Sequence, residues 1–257
     1  MSTFLFDSIV FGPVRSRRLG ASLGMNLLPP DRKVCSFNCV YCECGWTDSI
    51  DSDMLPSRGQ VQAALEYKLK KMISGGEGLD VITFAGNGEP TLHPDFSGII
   101  DDTIELRNTY FPNADIAVLS NATMLHRPDV VAALKRVDKN ILKLDSAFEA
   151  TINALNQPLI RFDLKNLVDR LMAFEGKLII QSLFVRGSIN GIPVDNTTPA
   201  EISAWLKLVD QIRPSEVMIY TIARDTPAND LKKLSEEELN GIAQKVEMLG
   251  IATQVSA

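Results

Sequence analysis

Cys35-Ser36-Phe37-Asn38-Cys39-Val40-Tyr41-Cys42 sets three thiols within eight residues, in the spacing C-x-x-x-C-x-x-C, and Glu43-Cys44 follows at once. Thiolates this close suit one small metal centre, and soft sulfur donors select iron–sulfur clusters or zinc. Three ligands are one too few for a closed cluster or a structural zinc site. A [4Fe–4S] cluster on three cysteines leaves one iron open to an outside ligand, and chemistry becomes available there. All four cysteines of the chain lie between positions 35 and 44. None remains for a long-range disulfide, so they read as metal ligands in a reducing compartment. Cys44 stands one residue past Cys42, too close for both to reach separate irons of one cube without strain. It is expected to be free and packed near the metal.

Outward from this loop, Leu23 to Leu28 reads as a first strand and Gln60 to Ile73 as a first helix. Strands are expected at Leu79 to Phe84, Ala114 to Leu119, Lys139 to Leu144, Lys177 to Val185 and Glu216 to Ile222, with a short one at Ile251 to Val255. Helices are expected at Phe96 to Tyr110, Pro128 to Val137, Asp163 to Phe174, Pro199 to Ile212 and Ser235 to Leu249; Ser235 and Glu238 match a capping box. The β-α order, repeated about six times, implies a parallel sheet with right-handed crossovers. An open doubly wound sheet and a barrel produce the same string. The 257 residues suit a single domain, with 1–22 as a lead-in and β/α repeats over 23–257. The longest irregular stretches are 43–57 and 186–198.

Ligand sites of parallel α/β folds lie at the C-terminal strand ends. The polar residues expected there are Gly86-Asn87-Gly88-Glu89, then Asn121, Asp145 with Ser146, Gln181 inside the fifth strand, and Arg224. Each also has a plain structural reading. A G-N-G-E after a strand makes a turn, Asn121 and Asp145 cap helices or turns, and Gln181 serves as a core amide. His93 is expected to be packed, and His126 to lie at the surface. Arg15, Arg17 and Arg18 form either a solvated face or a contact for an anionic substrate.

The cysteine triplet with Tyr41 before its last member resembles the cluster loop of the radical S-adenosylmethionine (SAM) superfamily. Gly86-Asn87-Gly88-Glu89-Pro90 is similar to that superfamily's glycine-glycine-glutamate motif. Phe11-Gly12-Pro13-Val14, Arg17-Arg18-Leu19-Gly20 and Gly88-Glu89-Pro90-Thr91-Leu92-His93-Pro94 look like the Fe–S oxidoreductase branch that contains the wybutosine-synthesis enzymes. This resemblance implies a partial (β/α)6 barrel of TIM type. It implies a [4Fe–4S] cluster on Cys35, Cys39 and Cys42, and S-adenosylmethionine chelated to the open iron. Reduction then breaks the sulfonium bond, and the 5′-deoxyadenosyl radical abstracts a hydrogen atom from substrate. By the same resemblance, Gly86, Asn87, Gly88 and Glu89 meet the methionine end of the cofactor. Asn121, Asp145, Ser146 and Gln181 contact ribose and carboxylate, and Tyr41 packs near the adenine. An external electron donor of flavodoxin or ferredoxin type is implied as a partner. Arg17, Arg18 and Arg224 are the substrate candidates, with the substrate unidentified.

Net charge is −6, which argues against a large nucleic-acid footprint, although Arg15, Arg17, Arg18, Arg32 and Lys33 make the first forty residues locally basic. No apolar run approaches the ~20 residues that span a bilayer. The N-terminus lacks the basic start of a signal peptide, so a cytoplasmic location is expected. No cysteine is spare for the second cluster that wybutosine enzymes carry. Two other readings of the thiols stay open: a non-catalytic zinc module using all four, and an iron–sulfur electron carrier or redox sensor.

Overall fold

A computed structural model of the chain describes residues 4–16, 19–51 and 54–257. Strands β1 (Val10–Ser16) and β2 (Gly20–Met25) come first, then the cysteine loop, helix α1 (Arg58–Ser74) and β3 (Val81–Phe84). Next are α2 (Phe96–Tyr110), β4 (Asp115–Ser120), α3 (Pro128–Leu134), β5 (Lys139–Lys143), α4 (Glu149–Leu155), α5 (Leu164–Met172) and β6 (Ile179–Leu183). They are followed by β7 (Val185–Ile189), β8 (Ile192–Asp195), α6 (Pro199–Ile212), β9 (Glu216–Tyr220), β10 (Leu231–Lys233), α7 (Glu236–Glu247) and β11 (Ala252–Ser256).

The main sheet runs β1-β2-β3-β4-β5-β6-β9-β11. β1 is antiparallel to β2, and every later neighbour is parallel. The order is linear, with edges at β1 and β11, and the helices pack on one face of the sheet only, as in a partial, TIM-like α/β barrel. The capping box expected at α7 is present, and α1 has a second one, Ser57 with Gln60.

Period-two alternation divides each strand between two faces. One face carries Ile82, Phe84, Ile116, Val118, Leu142, Ile180, Val217 and Ile219, which join the helices in the main core. The other carries Val81, Ala117, Ile141, Ile179 and Met218, a separate apolar floor inside the curved sheet. Two residues further along their strands, that inner face presents Leu119, Lys143, Gln181 and Tyr220 to a cavity.

The strand expected first, β2, begins earlier than expected, at Gly20, and α4 is not among the expected helices; two further stretches also differ. The lead-in contains β1, whose Gly12 and Pro13 argue against a central strand but are tolerated at a sheet edge. The stretch 186–198, expected to be irregular, forms most of a small antiparallel sheet of order β10-β7-β8. Its β7–β8 turn is Asn190-Gly191, with φ of 52° and 79°, the positive-φ pair that a tight hairpin needs. No helix among the described residues is long and apolar enough to cross a membrane.

Candidate functional site

The cysteine loop lies across the C-terminal ends of the parallel strands and is pinned from both sides. On one side Val34 N–H donates to the Asn87 carbonyl at 2.9 Å, and Glu89 N–H returns to the Val34 carbonyl at 3.1 Å. On the other, Val40 N–H donates to the Leu155 carbonyl at 3.0 Å and Asn38 N–H to the Asn156 carbonyl at 2.9 Å. Cys35, Cys39 and Cys42 thereby line one cavity of about 310 Å³, together with Cys44, Lys33, Tyr41, Gly86, Gly88, Glu89, Asn121, Lys143, Gln181, Tyr220 and Arg224. Among the described residues no three His, Cys, Asp or Glu side chains gather tightly enough to hold a single metal ion.

Amide groups face the sulfurs. Asn121 Nδ2 lies 3.6 Å from Cys35 Sγ, Phe37 N–H 3.4 Å from the same sulfur, and Asn156 Nδ2 3.5 Å from Cys39 Sγ. Burial pushes the Cys35 and Cys39 thiols up. Cys42 moves down, chiefly through a hydrogen bond with Cys44 and then through Lys33, and the same bond moves Cys44 up. Lys33 is only 2% exposed, and its Nζ donates to the Gly45 carbonyl at 3.0 Å. Burial opposes its charge, but Cys42, Cys35 and Cys39 together outweigh that and raise its pKa.

A polar cluster adjoins Cys39. Tyr41 donates its hydroxyl to Asp145 Oδ2, and Asn156 Nδ2 donates to both, each at 2.7 Å. Lys143 Nζ donates to the Tyr41 hydroxyl at 3.0 Å and the Tyr220 hydroxyl at 3.3 Å. It also lies 5.1 Å from the Tyr41 ring centroid. Burial works against the Lys143 charge, and Asp145, Tyr220 and Cys39 overcome it to raise the pKa. Burial and then Asp145 raise Tyr41.

The residues singled out by sequence divide into two sets. Tyr41, Gly86, Gly88, Glu89, Asn121, Gln181 and Arg224 line the cavity with the cysteines. Asn87, Asp145 and Ser146 do not line it. Asn87 turns away, exchanging hydrogen bonds with the Phe6 backbone (2.8 and 2.9 Å) and donating to the Pro29 carbonyl at 2.8 Å. Asp145 lies beneath the wall, where its second oxygen accepts from Leu183 N–H at 2.9 Å. Ser146 donates to Glu201 Oε2 at 2.7 Å. Arg224 pairs with Glu43 across the mouth at 2.7 Å, both side chains being exposed. Arg17 and Arg18 lie outside the described residues. His93 is buried between the Pro56 carbonyl and Asp95 N–H, and His126 is exposed. Lys33, Lys143, Asn156 and Tyr220 escaped the sequence reading. Lys143 and Tyr220 had a usable signal, since each is inward by strand alternation and cross-paired with, or next to, strand partners of Gln181 and Leu183.

Glu89 is a joint of the loop. Its Oε1 accepts from Thr91 N–H at 3.1 Å and Ser120 Oγ at 2.8 Å, and its Oε2 from Asn121 N–H at 2.6 Å. Burial raises its pKa against these bonds. A glutamine has one acceptor oxygen, so Glu89→Gln turns an NH2 toward one of the two backbone N–H groups. Urea unfolding is expected to show a loss of roughly 2–4 kcal/mol, the cost of an unmet buried donor and a donor–donor contact. A change below about 0.5 kcal/mol, the range of an ordinary surface substitution, would show that this carboxylate is dispensable to the loop.

Residues 33–157 match the family model described as the radical SAM superfamily. A protein of Helicobacter pylori named UPF0026 protein is 30% identical over 240 residues, covering 90% of this chain and 71% of that one. A protein of Brachyspira hyodysenteriae named GTPase Obg is 30% identical over 234 residues; these are 90% of this chain but 32% of that protein, so the chain spans about a third of its length. The crystal structure of a radical SAM methyltransferase from Sphaerobacter thermophilus superposes with a TM-score of 0.67 at 16% identity, covering 91% of this chain and 65% of the other.

Proposed function

Because the chain belongs to the radical SAM superfamily, we propose that it is an enzyme that holds a [4Fe–4S] cluster on Cys35, Cys39 and Cys42 and binds S-adenosylmethionine in the adjoining cavity. The observation that carries this reading is that three thiols of one loop and the ends of the parallel strands open into the same cavity. The donor set fits the group. Cys35, Cys39 and Cys42 are soft sulfur donors on one loop, and amide N–H groups face the Cys35 and Cys39 sulfurs. When bound, cluster and S-adenosylmethionine supply a one-electron reductive cleavage whose 5′-deoxyadenosyl radical removes a hydrogen atom from substrate.

The chain's own residues bind, orient and shield. Asn121 and Asn156 orient the Cys35 and Cys39 sulfurs. Cys44, a free thiol whose sulfur lies 3.5 Å from the Gly86 carbonyl oxygen, is held back from ligation. Gly86, Gly88 and Glu89 form the wall for the methionine end, while Gln181, Lys143 and Tyr220 offer polar groups to ribose and carboxylate. Tyr41, held by Asp145 and Lys143, presents its ring as a fixed face. Arg224 stands at the mouth on the substrate side, with Arg17 and Arg18 proposed to join it. A small flavodoxin- or ferredoxin-type protein is the proposed electron donor. The net charge of −6 favours a substrate other than a long nucleic acid. We take residues 1–257 as one working domain in the cytoplasm.

The test is anaerobic reconstitution with iron and sulfide, followed by dithionite and S-adenosylmethionine. Iron–sulfur absorbance and formation of 5′-deoxyadenosine are expected. Tight zinc with no iron uptake would establish the zinc module instead. A cluster that forms but produces no 5′-deoxyadenosine would establish the electron carrier.

A further inference from the structure

Lys33 is among the largest fully buried side chains of the molecule. A buried ammonium is costly unless it is paired. Its Nζ has one uncharged acceptor, the Gly45 carbonyl, and among the described residues no carboxylate within ion-pair distance. It lines the same cavity as Cys35, Cys39 and Cys42, and the three cysteines raise its pKa against burial. Cysteines that hold metal do so as thiolates. The geometry points to Lys33 as the built-in counter-charge of the loaded cysteine loop, which makes the cluster easier to reduce and to retain. This inference rests on the cluster reading given above.

The electron balance is simple. One electron from dithionite enters the cluster and adds one negative charge beside the ammonium, and no proton or bond changes on Lys33. A fixed positive charge favours the more negative state. The other lysine of the cavity, Lys143, is already paired with Asp145. Lys33 has no such partner, so its field falls on the sulfurs.

The experiment compares wild type, Lys33→Met and Lys33→Arg. Methionine keeps an unbranched apolar stem and removes the charge. After anaerobic reconstitution, the midpoint potential is read by dithionite titration with electron paramagnetic resonance. In Lys33→Met the equilibrium constant for reduction is expected to fall roughly tenfold, a shift of about 59 mV to more negative potential for one electron. Lys33→Arg, which keeps the charge, is expected to recover at least half of that shift. The cluster-free chains are then melted. Without metal, Lys33→Met is expected to melt no lower than wild type, because it removes a buried ammonium that no carboxylate among the described residues pairs. An unchanged or more positive potential overturns the inference, and so does a cluster-free Lys33→Met chain that melts lower than wild type. Should Lys33→Met take up no cluster while its empty form is as stable as wild type, the counter-charge role is supported in its stronger form. If wild type itself assembles no cluster, the cluster reading fails, separately from the role of Lys33.

Discussion

Alanine at Cys35, Cys39 or Cys42 is expected to abolish iron retention after reconstitution, whereas Cys44→Ala keeps it. Three sulfurs are the minimum set for the cluster proposed, and these three lie on one loop that opens into one cavity. Loss of even an outer hydrogen-bond partner commonly costs a metal site 10–100-fold in affinity, about 1–3 kcal/mol, and loss of a ligand costs more. Iron per chain should therefore fall at least about tenfold in each single variant. Cys44 is different because its side chain is engaged with Cys42 and the Gly86 carbonyl. Removing it frees Cys42 without removing a donor. Iron and sulfide analysis on anaerobically desalted protein reads all four variants. Iron loss in Cys44→Ala together with normal loading of Cys39→Ala would reverse the ligand assignment.

Gly88→Ala is expected to be nearly as damaging, although it leaves every cysteine in place. Gly88 has φ of +135°, and a Cβ there would stand 1.8 Å from the Val34 carbonyl oxygen, which is backbone and cannot rotate away. That carbonyl accepts the Glu89 N–H and immediately precedes Cys35. The methyl group must push the cysteine loop off the strand ends. Backbone strain of this kind costs about 1–3 kcal/mol, and the broken pairing between residues 34 and 87–89 adds roughly as much again. The expected loss is about 3–5 kcal/mol in urea unfolding, with iron retention falling alongside. Gly59→Ala is the control. It lies in α1 with open space around its Cβ position and is expected to be neutral or to stabilise by up to about 1 kcal/mol. Normal iron loading and stability in Gly88→Ala would show that the loop has room to shift.

The sequence reading expects Gly88 to meet the methionine end of a cofactor; the structure adds a requirement that the reading did not contain, the close approach of Gly88 to the Val34 carbonyl. Local patterns were legible because the chain writes them locally. α2 and α6 begin and end where apolar spacing and proline placed them, and the cysteine spacing placed the loop. What the sequence could not show depends on partners far along the chain. Asn87 turns outward because the Phe6 backbone, 81 residues away, receives it. Asp145 lies under the wall because Tyr41 and Asn156 enclose it. Lys33 read as part of a basic surface, and only the return of the loop to Gly45 buries it. α4 went unnoticed because a seven-residue helix carries too few apolar repeats to stand out, yet Asn156 at its C-terminal end reaches Cys39.

The inner face of the sheet has an evolutionary reading. Its floor (Val81, Ala117, Ile141, Ile179, Met218) and its reactive rim (Lys143, Gln181, Tyr220) occupy the same face at different heights, a strand repeat of two residues apart. Ile179 and Met218 lie in the layer next below that rim, so a change there reaches the cavity through packing, while the thiols are held by loops that pair elsewhere. Shape and reactivity are thus separately heritable. A lineage can try guests of new size one floor residue at a time while its electron chemistry stays intact. One such scaffold can therefore diversify in what it accepts without first losing what it does.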